Sequence, residues 1–247
     1  MSQSFSERKN YHPDPRARFR LHSLRRVDKR LRAITSHVDL KGKSILDLGC
    51  SGGYFSFRLS PTARYVLGID ADKKLVEQNQ KIVVSRNFTN LEFRHATITP
   101  NLINSLPDFD VILFLSVFHH MLTASEAYEW NDTRRQQDAI ITMVLIREKC
   151  KILVFEMGYP DEGYEWCTRL PVMSPNPERW IIHNIFGDRF EKIQVIHSPA
   201  YAHGWRHLGW MIARRINTQP LFTRIIRRIF GLDPRDNRDL FIGFKSL

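Results

Sequence analysis

This 247-residue chain has no run of about 18 apolar residues, so it offers no candidate for a membrane-spanning helix. Its opening stretch, Met1-Ser2-Gln3-Ser4-Phe5-Ser6-Glu7-Arg8, lacks the apolar centre of a secretory signal. Cysteine is scarce. Cys50, Cys150 and Cys167 are odd in number and far apart, which argues against a disulfide framework and against a zinc site. A reducing, cytoplasmic setting is the expectation. There is no internal repeat and no low-complexity tract. No G-x-G-x-x-G occurs, and no Gly-Lys-Ser/Thr follows a glycine turn, which removes the usual pyrophosphate- and P-loop signatures.

What is present is charge of one sign. The formal net charge is +11, which bears on partners and not on fold. Basic residues gather in 8–32 and in 206–238, and most of them are arginine. Arginine grips phosphate and carboxylate in a planar fork. A phosphate-bearing substrate, a nucleic acid, an anionic membrane surface and a plain solvated face all fit. Hydrophobic residues make up 43% of the chain, enough to bury a sizeable core.

The most informative stretch is Ile45-Leu46-Asp47-Leu48-Gly49-Cys50-Ser51-Gly52-Gly53-Tyr54-Phe55-Ser56, with Val66-Leu67-Gly68-Ile69-Asp70 after it. It reads as strand, small-residue turn, helix, second strand and an acid at that strand's end. Small residues let backbone approach a ligand, and the later acid can accept two ribose hydroxyls. Asp47 inside the turn would repel a phosphate but suits a cation, such as the amino end of a methionine group. A ligand with a ribose, no pyrophosphate and a positive centre points to S-adenosylmethionine.

Around this unit the chain alternates strand and helix. The spacing of Leu21, Leu24, Val27, Leu31 and Ile34 predicts an amphipathic helix over 19–37. Strands are predicted at 44–48, 65–70, 91–95, 110–115, 151–156, 190–197 and 239–244. Helices are predicted at 54–59, 75–84 after an Asp72 cap, 102–106, 134–148 and 180–186. The expected fold is α/β: a Rossmann-like, doubly wound, mostly parallel seven-stranded sheet. Residues 1–40 form a basic segment with a helix and 41–247 one domain. That domain carries a proline- and aromatic-rich, lid-like insertion at 158–180 and a basic helical insertion at 203–238. Tyr159, Tyr164 and Trp166 lie in the first insertion. In the second, Leu221, Phe222, Ile225, Ile226, Ile229 and Phe230 share a helical side with Arg224, Arg227 and Arg228 beside them. That side docks on the sheet or lies on the inner face of an anionic membrane.

Ligands of open α/β sheets sit at the carboxyl ends of the strands. Ser116-Val117-Phe118-His119-His120 falls at one such end and Glu156 at another. His119 or His120 can serve as a general base near neutral pH, or pack structurally. Glu156 can orient an acceptor hydroxyl or pair with an arginine. Adjacent histidines rarely aim at one ion, so no metal is expected there.

The turn resembles the cofactor motif of class I S-adenosylmethionine-dependent methyltransferases, D-x-G-x-G-x-G, with Ser51 at its central glycine. Together with Leu115-Ser116-Val117-Phe118-His119-His120 and Phe155-Glu156, it looks like the methyltransferase domain of bacterial O-antigen chain-terminating methyltransferases over roughly 44–202. The kinase domain that some of those proteins carry is not matched. The resemblance implies cofactor contacts from Asp47, Gly49, Cys50, Ser51, Gly53, Tyr54, Asp70, Ala71, Ala96, Thr97, Ser116 and Val117. His119, His120 and Glu156 are then the catalytic candidates. Cys50 can equally pack as a small hydrophobe, and Thr97 can cap a turn.

The expected activity is O-methylation of a saccharide or a phosphorylated acceptor. Arg16, Arg18, Arg20 and Arg206 are candidates to hold a phosphate. An RNA methyltransferase or phosphate-capping enzyme is the alternative that the positive charge favours, although no RNP-like motif is present. A base-amino methyltransferase is disfavoured, because no Asn/Asp-Pro-Pro-Tyr/Phe ends the fourth predicted strand. A non-catalytic binding protein of the same fold is the third reading.

Overall fold

The computed structural model describes residues 17–123, 133–158, 177–197 and 238–246, with the side chains of 17–26, 123, 133–136 and 177 left aside. The elements are α1 (Ala17–His37), β1 (Ser44–Leu48), α2 (Tyr54–Leu59), β2 (Tyr65–Asp70), α3 (Lys73–Ser85), β3 (Leu91–His95) and α4 (Pro100–Ser105). They continue with β4 (Phe109–Leu115), α5 (Phe118–Thr123), α6 (Thr133–Glu148), β5 (Cys150–Glu156), α7 (Pro177–Ile181), a π-turn (Ile182–Phe186), β6 (Lys192–Ile196) and β7 (Leu240–Phe244).

The strands form one seven-stranded sheet in the order β3-β2-β1-β4-β5-β7-β6. β1, β2 and β3 pair in parallel, whereas β7 runs antiparallel to both β5 and β6. The expected seven-stranded α/β sheet is therefore present, as a mixed sheet. The chain divides into two compact units, Met1–Leu113 with Glu148–Cys150 and Phe114–Arg147 with Lys151–Leu247.

In the first unit, β1 and β2 are covered on both sides. Ile45, Val66 and Ile69 have no exposed surface, as expected for parallel strands buried on two faces. Ile34 near the end of α1 and Val38 just after it are buried as well. Asp110, at the start of β4, accepts from both the backbone N–H and the hydroxyl of Ser44 at 2.9 and 3.0 Å. α3 begins where Asp72 accepts from the N–H groups of Lys74 and Leu75, a cap worth about 1 kcal/mol.

The second unit is built on aromatic rings. Phe114, Phe118, Phe155, Phe186 and Phe241 are all fully buried. Phe155 stands 6.0 Å from Phe114, 6.0 Å from Phe118 and 6.2 Å from Phe186, ring centre to ring centre. Each such ring contributes about 1.5–3 kcal/mol by burial, more than a typical hydrogen bond's net 0.5–1.5 kcal/mol. Gly243 in β7 leaves the space Phe186 fills, since a Cβ there would stand 2.6 Å from the ring.

Three boundaries differ from the sequence expectation for clear reasons. α4 starts at Pro100, not Leu102, because Thr99 caps it and proline suits the first helical position. The 180–186 helix is instead α7 followed by a π-turn, closed by Gly187 N–H to Ile182 O at 2.9 Å. The Ser116–His120 stretch is not a simple strand end. Val117 O accepts from His120 N–H at 2.8 Å, and this turns the chain into α5. Most of the expected lid (159–176), the segment 198–237 and residues 1–16 fall outside the described residues.

One glycine tests this packing. A Cβ on Gly68 in β2 would sit 2.7 Å from the Phe93 ring and 3.0 Å from Cys50 Sγ. Gly68→Ala is expected to cost about 1–3 kcal/mol by overpacking, read from equilibrium urea unfolding. Unchanged stability would contradict the ring's placement.

Candidate functional site

β1 hands the chain to a turn that needs left-handed backbone three times. Gly49 has φ +73°, Ser51 +49° and Gly53 +72°. Two of these are glycines, which take the conformation without strain. Ser51 is not, and a left-handed residue with a side chain costs about 1–2 kcal/mol. Three hydrogen bonds support the turn around it. Ser51 N–H donates to Asp70 Oδ2 at 2.7 Å. Asn79, buried on α3, donates to Ser51 O at 2.9 Å. Gly49 N–H donates to Ile69 O at 2.8 Å, which continues the β1–β2 pairing into the turn. Gly53 has a packing role as well, because a Cβ there would meet Phe57 and Phe93 at 2.8 Å.

Asp70 closes β2 and uses both carboxylate oxygens. Oδ2 takes Ser51 N–H, and Oδ1 takes Asp72 N–H at 2.8 Å. Each oxygen keeps further acceptor capacity, so the carboxylate can still take ribose hydroxyls. Ala71 and Ala96 flank it: Ala96 N–H donates to Asp70 O at 3.1 Å, and Ala71 O lies 3.1 Å from His95 Nε2. Thr97 follows in the open loop after β3, and the helix cap there is Thr99.

Asp47 is the buried charge of this unit. It is 3% exposed and accepts the Ser56 hydroxyl at 2.6 Å. Burial pushes its pKa up to about 6, against the pull of Ser56 and with a push from Asp70. A carboxylate in that state favours a cation beside it. Burial and these two acids also raise the pKa of the Cys50 thiol, so it stays protonated and packs as a small apolar group. The Tyr54 hydroxyl donates to Asp28 of α1, which also pairs with Arg58 at 3.5 Å.

The second unit holds its own polar cluster. Ser116 has φ +61°, another left-handed residue with a side chain. Its N–H donates to Glu156 O at 2.8 Å and its hydroxyl to Glu156 Oε1 at 2.5 Å. Arg238 Nη1 lies 3.9 Å from the same Oε1, with both side chains buried. Val117 links this residue to α5 and is partly exposed.

His119 and His120 differ sharply. His119 is 1% exposed, and its Nδ1 accepts from Gly158 N–H at 3.1 Å. Burial, helped by His120 and Arg238, takes its pKa down to about 2. His120 is exposed, 4.2 Å away ring to ring, and its pKa is lowered by partial burial and Arg238.

Four functional neighbours escaped sequence reasoning: Asp28, Ser56, Asn79 and Arg238. Asp28 did carry a signal, as the one acid in the α1 sequence. Asn79 carried a weaker one, a polar residue three positions after buried Val76 on the inner side of α3. Arg238 carried none, because its partner Glu156 is far along the chain.

A family model described as a methyltransferase domain matches residues 39–169, just over half of the chain. The tRNA U34 carboxymethyltransferase of Pseudomonas fluorescens (strain Pf0-1) is 30% identical over 170 residues, 66% of this chain and 51% of that protein. The ubiquinone biosynthesis O-methyltransferase of Pelagibacter ubique is 24% identical over 147 residues, 60% of this chain and 59% of that protein. The chain thus spans about half the length of the curated relatives it matches.

In fold, the chain is similar to magnesium protoporphyrin IX methyltransferase of Synechocystis PCC 6803, solved with bound S-adenosylmethionine. The TM-score is 0.57 at 15% identity, over 99% of this chain and 92% of that one. It is also similar to the bifunctional kinase-methyltransferase WbdD, with a TM-score of 0.52 at 18% identity, over 98% of this chain and 40% of that one. With a family model over residues 39–169 and a methyltransferase fold, the chain belongs to the methyltransferase-domain family, whose methyl donor is S-adenosylmethionine.

Proposed function

We propose that the chain transfers the methyl group of S-adenosylmethionine to an oxygen of a saccharide or a phosphorylated acceptor. The observation that carries the cofactor half is Asp70, a strand-end carboxylate already fixed by Ser51 and Asp72 and with acceptor capacity left for ribose hydroxyls. The turn residues fit that ligand. Gly49, Ser51 and Gly53 give the turn its left-handed backbone, and Asp47 supplies a buried negative charge for the methionine ammonium. The bound cofactor supplies an activated methyl group, so positioning accounts for much of the acceleration.

For the acceptor, the two histidines take different roles. His120 is exposed and kept neutral at physiological pH, which suits a base that takes a hydroxyl proton. His119 is a positioning residue: its Nδ1 is committed to Gly158 N–H, and burial opposes its protonation. Glu156, held by Ser116 and Arg238, sets the carboxyl end of β5 and orients the acceptor.

A second reading, an RNA acceptor, is favoured by the net charge of +11 and by the tRNA-modifying relative. The basic residues at 206–238 and the peripheral membrane contact read from 221–230 stay sequence proposals, since 198–237 are outside the described residues.

Transfer of labelled methyl from S-adenosylmethionine into fractionated extracts separates these readings. Label in the saccharide or small phosphorylated fraction supports the first, and label in RNA supports the second. On the identified acceptor, His120→Ala is expected to cut turnover by about 10²–10⁴ with cofactor affinity intact. Full turnover in that variant would remove the base.

Asp47 gives the pH dependence. Its pKa in the free chain is raised to about 6, so ionising it costs stability that is present below its ordinary pKa and lost as pH rises through 6. A neighbouring ammonium lowers that pKa, so binding releases a proton at acid pH. Affinity for S-adenosylhomocysteine should be level above pH 7 and fall up to about tenfold per unit below pH 6. Calorimetry should show that fall in the wild type and a flat, weaker profile in Asp47→Asn. A flat wild-type profile would remove Asp47 from the ammonium.

A further inference from the structure

Glu178, His197 and Asp239 lie together and play no part in the proposed methyl transfer. We propose that they bind one divalent transition-metal ion, zinc above others, as a structural site of the second unit.

The fold explains why they meet. β6 and β7 pair antiparallel with Ile196 opposite Leu240. His197 follows β6 and Asp239 precedes β7, so the register places these two residues across from each other at the end of the pair. Glu178 comes from the first turn of α7. His197 Nδ1 lies 3.6 Å from Asp239 Oδ1 and 4.0 Å from Glu178 Oε2, and all three ligand atoms fall within 4.8 Å of one another.

The donor chemistry selects the ion. One imidazole and two carboxylates match the nitrogen–oxygen sets that hold zinc at about 2.0–2.2 Å, and an alkaline-earth ion would want more oxygens. Ligand atoms around such an ion stand about 3.3–3.5 Å apart, so the observed separations need only a small contraction. Two carboxylates and a neutral imidazole also balance the 2+ charge. Asp239 is buried, with 6% of its side chain exposed, while Glu178 and His197 are 40% and 52% exposed. That arrangement gives one anchored ligand, two that can close on the ion, and a solvent route in.

The site has a structural consequence. Residues 198–237 lie between His197 and Asp239 in sequence, and Arg238, whose guanidinium faces Glu156, is next to Asp239. An ion here ties α7 to the ends of β6 and β7 and fixes the backbone that carries Arg238.

The same three groups also form a plain ion-pair cluster when His197 is protonated, and the experiment separates the two. The full-length protein, stripped with chelator, is titrated with Zn²⁺ by calorimetry and with Co²⁺ by visible absorption, without S-adenosylmethionine. The expected result is one ion per chain, a tetrahedral Co²⁺ spectrum, and affinity at least a hundredfold weaker in both Glu178→Gln and His197→Ala. His183→Gln, an exposed histidine on the π-turn, should bind as the wild type does. Glu178 is exposed enough that its variant keeps the fold, which circular dichroism verifies. No stoichiometric ion in the wild type would overturn the site, and so would binding retained within about threefold in Glu178→Gln and His197→Ala. Neither titration reads methyl transfer or uses the cofactor, so the failure of this site is distinguishable from the failure of the proposed function.

Discussion

The Asp70 carboxylate holds the turn between β1 and α2 in shape. Its two oxygens take the N–H groups of Ser51 and Asp72, which lie on opposite sides of it in sequence. The first bond pins a residue in left-handed backbone, and the second fixes the start of α3. Without an acceptor at Asp70, Ser51 would carry its conformational strain with only Asn79 to offset it. A charge-assisted bond is worth about 1.5–3 kcal/mol, enough to cover that strain. The turn therefore carries a serine in left-handed backbone where the class I motif has glycine, made tolerable by the Asp70 carboxylate.

The second unit uses a related device. Ser116 also sits in left-handed backbone, and its hydroxyl and N–H both go to Glu156. Glu156 is buried and would be costly as an isolated charge, a cost that Arg238 beside it and the Ser116 hydroxyl offset. In each unit, then, an acid at a strand end holds a strained serine. The acids differ in exposure. Asp70 is partly open to a ligand, while Glu156 is enclosed and suited to orienting its neighbours.

The sheet and the turn were legible because local chemistry decided them. Apolar runs such as 111–115, the small residues at 49–53 and the acid at 70 each leave a mark in a few consecutive residues. Asp72 announced its helix in the same way. The histidines were harder. Their sequence marks a strand end, but whether His119 or His120 meets solvent depends on the Val117 turn that starts α5. The backbone N–H of Gly158 then claims His119, and no pattern in the sequence signals it. The partner of Tyr54 was hidden for a similar reason, since its hydroxyl is taken by Asp28 on a helix earlier in the chain. Arg238 and the Glu178–His197–Asp239 group depend on the β6–β7 register, a long-range pairing that local spacing does not reveal.

The central claim is that the Asp70-pinned turn is the cofactor site, and it is tested most directly by titrating S-adenosylmethionine into wild-type protein and Asp70→Asn in a calorimeter. The asparagine keeps an acceptor for Ser51 N–H while losing the charge that the ribose hydroxyls would meet. The account predicts binding at one site per chain and a loss of about 1.5–3 kcal/mol, roughly tenfold to a hundredfold in affinity, in a variant with wild-type circular dichroism. Equal affinity in the two proteins would contradict it.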